Sequence, residues 1–212
     1  MTTAKDAMLA SIRAALGPSP SVPEIPRAYR GAGAVVVEDV VGLFCERVAD
    51  YRATVTRCTA AELPAALART CAARGTARVA AAAGFGVPLN GVTVTNDDPS
   101  LSAVELDGYD AALTGCALGI AETGSIVLDG GPASGRRALT LVADHHLCVV
   151  RADQVVTTIP DAIAALHGAA RGGRPITFIS GPSATSDIEL ERVEGVHGPR
   201  QLDVFVIDRE CP

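Results

Sequence analysis

The sequence predicts an α/β domain in which a mostly parallel sheet is flanked by helices, with a helical arm at the N-terminus. Three observations predict it. From residue 38 onward, short apolar β-like runs alternate with segments of helical periodicity, the pattern of a sheet covered on both faces. The 212 residues are 48% hydrophobic, ample for a substantial core. A stretch of four prolines and three glycines, "GPSPSVPEIPRAYRGAG", then separates a short amphipathic N-terminal segment from everything after it. The expected organisation is an arm and linker over residues 1 to 34 and one α/β domain over 35 to 212.

The elements follow in order. Leu9, Ile12 and Leu16 recur at helical spacing within residues 3 to 16. So short a helix is marginal alone and is expected to dock on its own body or on a second copy, which would make a homodimer through the arm. Val41, Phe44, Val48 and Tyr51 form one apolar stripe over 38 to 51, and "ATVTRC" at 53 to 58 reads as a strand. Thr59 with Glu62 is a capping-box signature for a helix over 60 to 73, where Leu63 and Leu67 share a face. Strands are expected at 77 to 82, 92 to 95, 110 to 115, 125 to 129 and 146 to 150. A helix from Pro160 to His167 follows, then strands at 176 to 180 and 202 to 207.

Composition narrows the function. The net charge of -6, the 3% aromatic content and the absence of tryptophan disfavour a general nucleic-acid binder, which needs clustered cations and stacking platforms. No charged segment leads into an apolar one at the N-terminus, and no run of about 18 uncharged apolar residues occurs, so a cytoplasmic protein without a membrane span is expected. The six cysteines, at 45, 58, 71, 116, 148 and 211, contain no C-x-x-C pair and sit mainly in apolar segments, as free buried thiols do. No H-x-x-x-H or H-E-x-x-H pattern exists, and His145 with His146 would face opposite sides of a strand, so no metal is expected.

In open α/β sheets ligands bind beyond the carboxyl ends of strands, which directs attention to two connecting segments. The first is "TGCALGIAETGSIVLDGGPASGRR" at 114 to 137, with six glycines. Glycines let backbone amides approach an anion, and Glu122 among small residues has the character of a general base or nucleophile. The same residues also describe a capping carboxylate and a tight turn at Gly124, and that is the commoner arrangement. Arg136 and Arg137 end this segment, either clamping a carboxylate or phosphate or lying exposed at a helix start. The second is "GPSATSDIE" at 181 to 189, where Ser183, Thr185, Ser186 and Asp187 serve as helix caps or, with free amides, as an anion cradle. His197, between glycines in "GVHGP", is the histidine best placed to swing toward a site.

Taken together and in order, "GIAETGSIVL" at 119 to 128, "GPSATSDIE" at 181 to 189 and "GVHGPRQLDVFVID" at 195 to 208 closely resemble the lactate utilisation protein C (LutC) family, whose module is the LUD domain. The likeness runs from about residue 35 to 208. It implies a fold like that of the NagB/RpiA/CoA-transferase group. It implies participation in oxidising L-lactate to pyruvate beside partner proteins that carry iron-sulfur clusters, this chain being the cofactor-free member. The family's motif positions fall on Glu122, Thr123, Gly124 and Ser125; on Gly181, Pro182, Ser183, Thr185, Asp187 and Ile188; and on Gly195, His197, Gly198 and Pro199. Glu122, Asp187 and His197 are thereby the catalytic candidates, with Thr123, Gly124, Ser125, Arg136, Gly181, Ser183 and Thr185 as candidate ligand contacts to a small carboxylate. The alternative from the same residues is a free-standing isomerase, CoA-transferase or cyclo-ligase-like enzyme acting on a phosphorylated or carboxylated metabolite.

Overall fold

A computed structural model describes residues 3 to 19, 21 to 83, 87 to 182 and 198 to 208. The chain divides into two units, Met1–Arg30 and Gly31–Pro212. The first holds α1 (Ala4–Leu16), opened by a full capping box between Thr3 and Asp6 and closed at Gly17, whose φ of 74° suits glycine. None of its residues is buried.

The second unit is built on a six-stranded, wholly parallel sheet. Its strands are β1 (Thr54–Cys58), β2 (Arg78–Ala81), β3 (Thr93–Asn96), β4 (Ala111–Thr114), β7 (His145–Arg151) and β10 (Gln201–Ile207), ordered β1-β10-β7-β4-β2-β3. The central strands are almost continuously apolar because both their faces are covered. On one face, α3 (Leu63–Arg74) sets Leu63, Leu67 and Cys71 on Val79, Leu113, Leu147 and Phe205. On the other, α2 (Val40–Asp50) sets Phe44 and Val48 among Cys148, Val150, Val204 and Val206. Beside it the short α4 (Ala103–Asp107) and α5 (Leu139–Val142) cover Ala80 and Ala112 with Leu106 and Leu139.

A second sheet of four strands lies beyond α2. It comprises β5 (Leu118–Ile120), β6 (Ser125–Leu128), β8 (Val155–Val156) and β9 (Thr177–Ile179) in the order β8-β5-β6-β9. Alternation along β6 gives the sheet two apolar faces: Ile126 and Leu128 join the α2 core, while Val127 meets Ala162 and Leu166 of α6 (Ile159–Arg171). Among the described residues no helix is long and apolar enough to cross a membrane.

The expected α/β architecture is present, with four differences in detail. The runs at 125 to 129 and 176 to 180 are strands but pair antiparallel in the small sheet. A tight turn returns β5 directly into β6, and such a hairpin is open only to antiparallel neighbours. β5 itself escaped the pattern because it is three residues long with Gly119 in the middle; a Cβ there would lie 2.9 Å from the Phe44 ring, so glycine is what lets α2 seat. The Thr59 and Glu62 box does form, with the Thr59 amide donating to Glu62 Oε2 at 2.9 Å, but residues 60 to 62 make a turn and the α-helix proper starts at Leu63. α4 also went unread, although its Ser102 and Glu105 carry the same capping signature.

Candidate functional site

The Glu-Thr-Gly-Ser motif is the tip of the β5 and β6 hairpin. Gly124 closes the turn, its amide donating to the Ala121 carbonyl at 3.4 Å. The Ala121 and Glu122 amides donate to the carbonyls of Val156 and Thr157 at 2.9 and 3.0 Å, continuing the β5 and β8 ladder. Three amides that a glycine-rich loop offers to an anion are thus taken by the protein itself. Gly124 has φ 59°, and a Cβ on it would stand 2.6 Å from the Arg47 carbonyl oxygen and 2.7 Å from the Val48 nitrogen. Its small size therefore serves contact with α2. Glu122 itself is half-buried within the turn.

Hydroxyl groups connect this tip to the start of the second motif. Thr123 Oγ1 lies 2.8 Å from Ser125 Oγ, and Ser125 Oγ lies 2.7 Å from Ser180 Oγ. Ser180 follows β9 and immediately precedes Gly181, whose φ of 91° lets it approach Tyr51 at the end of α2. A Cβ on Gly198 would lie 3.8 Å from the Pro182 carbonyl oxygen, so the chain returns close to where it left. The structure therefore brings together Thr123, Gly124 and Ser125 of the first motif, Gly181 and Pro182 of the second and Gly198 of the third. Ser183, Thr185, Asp187 and His197 lie outside the described residues.

Arg136 is not brought to this group. Its Nε donates to Asp97 Oδ2 at 2.8 Å and its Nη2 to Asp97 Oδ1 at 2.9 Å, with further bonds to the Asp98 and Leu101 carbonyls. Since the Asp97 side chain is only 5% exposed, this fork pins the glycine-rich turn to the edge of the large sheet. Arg137, whose guanidinium donates to Thr140 Oγ1 at 3.0 Å, is exposed beside it.

His145 and His146 face opposite sides of β7. His145 Nε2 donates to Asp203 Oδ2 at 2.7 Å, and Arg74 Nε donates to the same oxygen at 3.1 Å. Burial acts to raise the Asp203 carboxyl, but the hydrogen bonds from His145 and Arg74 outweigh it and hold it below the usual carboxylate value. His146 Nε2 lies 2.8 Å from Thr114 Oγ1, next to Cys148. The neighbouring Cys116 sulfur, with His146 and Thr114, acts against burial and holds the Cys148 thiol below its ordinary value, while the same pairing and burial hold the Cys116 thiol up. Both imidazoles are thus engaged at the strands of the large sheet, away from the hairpin. Among the described residues no group of three or more His, Cys, Asp or Glu side chains is arranged to hold a metal ion.

The family model described as the LUD domain matches residues 102 to 207, which carry the hairpin, Ser180 and Gly198. Over 210 residues the chain is 47% identical to the Lactate utilization protein C of Deinococcus radiodurans, covering 98% of this chain and 93% of that protein. The chain belongs to the LUD domain family. The crystal structure of a DUF162 family protein from Deinococcus radiodurans is similar to this LUD chain with a TM-score of 0.66 and 43% identity, over 80% of this chain and 96% of that one. The Lactate utilization protein C of Shouchella clausii is 31% identical over 116 residues, 53% of this chain and 50% of that protein. The LUD match begins at Ser102, so α1, α2, α3 and the first three strands of the large sheet lie outside it. Within the LUD region, Ser180 is the residue that reading the motifs missed. It was legible only as the last position of the apolar run "PITFIS", one step before the motif begins.

Proposed function

We propose that this LUD chain takes part in lactate utilisation, as one component of a cytoplasmic system that oxidises L-lactate to pyruvate. The observation that carries the reading is the 47% identity, over 98% of this chain, to a protein called Lactate utilization protein C. In this reading the chain carries no cofactor. The two electrons released as the C2 hydroxyl of L-lactate becomes a ketone leave through iron-sulfur clusters in partner proteins to an electron acceptor beyond them, the two protons pass to water, and this chain contributes a surface for a small carboxylate around the β5 and β6 hairpin. The hairpin's Thr123 and Ser125 hydroxyls, the half-buried Glu122 beside them and the approach of Gly181 and Gly198 support that placement.

The test is genetic. In a strain with no other lactate dehydrogenase, in-frame deletion of the gene should abolish growth on L-lactate as sole carbon source while leaving growth on pyruvate intact, and the intact gene should restore it. Unchanged growth of the deletion strain on L-lactate overturns the reading. Turnover of a CoA ester by the purified chain alone, through a glutamyl thioester at Glu122, would replace it with a free-standing transferase.

A further inference from the structure

Ser125 is 4% exposed, and its hydroxyl has two partners among the described residues, Thr123 Oγ1 at 2.8 Å and Ser180 Oγ at 2.7 Å. A hydroxyl holds one proton and two lone pairs. Leaving that buried proton without an acceptor is costly, so Ser125 donates to one neighbour and accepts from the other. The row is therefore directional. Either Thr123 donates to Ser125 and Ser125 to Ser180, which turns the Ser180 proton outward, or every bond runs the other way. Ser180 is the exposed end, at the junction of β9 with the second motif, while Thr123 is adjacent to Glu122 at the hairpin tip.

We propose that Ser180 is a ligand-contacting residue that donates its hydroxyl proton to a carboxylate oxygen of a small 2-hydroxy or 2-oxo acid, with Ser125 and Thr123 as positioning residues that fix the direction of that donation. The choice of acid rests on the lactate reading above; the directionality of the row does not. An ionised carboxylate only accepts, so at Ser180 it selects the orientation in which all three protons point toward it. Each bond in such a row polarises the next, and the last donor becomes stronger than an isolated serine. Ser180 is suited to this because no other protein group among the described residues takes its hydroxyl.

Binding of sodium L-lactate and sodium pyruvate to the purified full-length protein, measured by isothermal titration with matched sodium chloride as blank, tests it. The wild type should bind at least one of the two acids. Ser180→Ala should weaken that binding about ten- to a hundredfold, as expected for a lost charge-assisted hydrogen bond. Ser180→Thr keeps a hydroxyl and should stay within about threefold of the wild type, which a role in mere packing would not predict. Ser125→Ala should fall between them, because Ser180 retains its proton but loses the group that orients it. Wild-type affinity in Ser180→Ala, equal losses in the Ala and Thr variants, or a wild type that binds neither acid would each overturn the proposal. The deletion strain decides the lactate reading independently, since growth reports on the pathway and titration on this one contact.

Discussion

Gly124→Ala should destabilise the protein strongly, and the size of the effect follows from two contacts. The backbone at this position has φ 59°, where a side chain costs about 1–2 kcal/mol. The added methyl would also stand 2.5 Å from the Arg47 carbonyl carbon and 2.6 Å from its oxygen. Those are helix backbone atoms, and α2 cannot retreat without lifting Phe44 and Val48 out of the core. Overpacking of this kind costs about 1–3 kcal/mol. The sum is about 2–5 kcal/mol, or roughly 4–20 °C in melting temperature for a domain of this size. Thermal melts followed by circular dichroism, with urea unfolding to verify an unchanged m-value, would measure it. Gly168 in α6 supplies the control: a Cβ there meets nothing within 4 Å, so Gly168→Ala should stabilise by about 0.5–1 kcal/mol. If Gly124→Ala melts within about 1 °C of the wild type, the packing argument is refuted. Loss of lactate growth by such a stable variant would then mark the glycine as a ligand approach.

Arg136→Ala leaves the Asp97 carboxylate buried without its fork and should cost about 3–5 kcal/mol in thermal unfolding; an Arg136 reserved for ligand would leave the melt untouched. Asp203 has a folded-state pKa below its unfolded value of about 3.9, so its contribution is complete above that pH and is lost as pH falls through the folded value. Melting temperature should therefore drop on acidification in the wild type and drop less steeply in Asp203→Asn, which starts lower at neutral pH; parallel curves would count against the assignment. Cys116→Ala removes the largest influence holding the Cys148 thiol below its ordinary value, so the thiolate ultraviolet absorbance of the folded protein should titrate at higher pH than in the wild type, and an unshifted titration contradicts the coupling of the two sulfurs.

The fold was legible wherever one element's own pattern decided it. Strands β1, β2, β4, β7 and β10 are short apolar runs between helical segments, and their composition alone separates them from the helices. What the sequence could not convey is which strands pair with which. The run ending at Leu128 is as apolar as the run ending at Arg151, yet one belongs to a mixed sheet and the other to the parallel one. That choice is made by the hairpin turn and by how α2 settles on Gly119 and Gly124, contacts between residues about 70 or more positions apart. Capping signatures carried local information that survives folding, as Ser102 with Glu105 and Thr158 with Asp161 both demonstrate.

For the site, the sequence left two meanings open for the same glycines and hydroxyls, and geometry separates them residue by residue. Backbone amides are the donors that a glycine-rich anion site would use, but here the Ala121, Glu122 and Gly124 amides complete the hairpin and the β8 ladder. Gly124 is consumed by its contact with α2 and Arg136 by Asp97. The tip also carries side-chain hydroxyls, two of them supplied by residues 55 positions apart in the chain and joined at 2.7 Å. This changes how the site can be dissected. A cradle of backbone amides is invisible to side-chain substitution, whereas a row of Thr123, Ser125 and Ser180 can be cut at each member. Losses should be largest at the exposed end that meets the ligand and smaller toward Thr123, because each step inward removes orientation rather than the donor itself. The opposite gradient, with Thr123→Ala the most damaging, would place the ligand at the Glu122 end of the row.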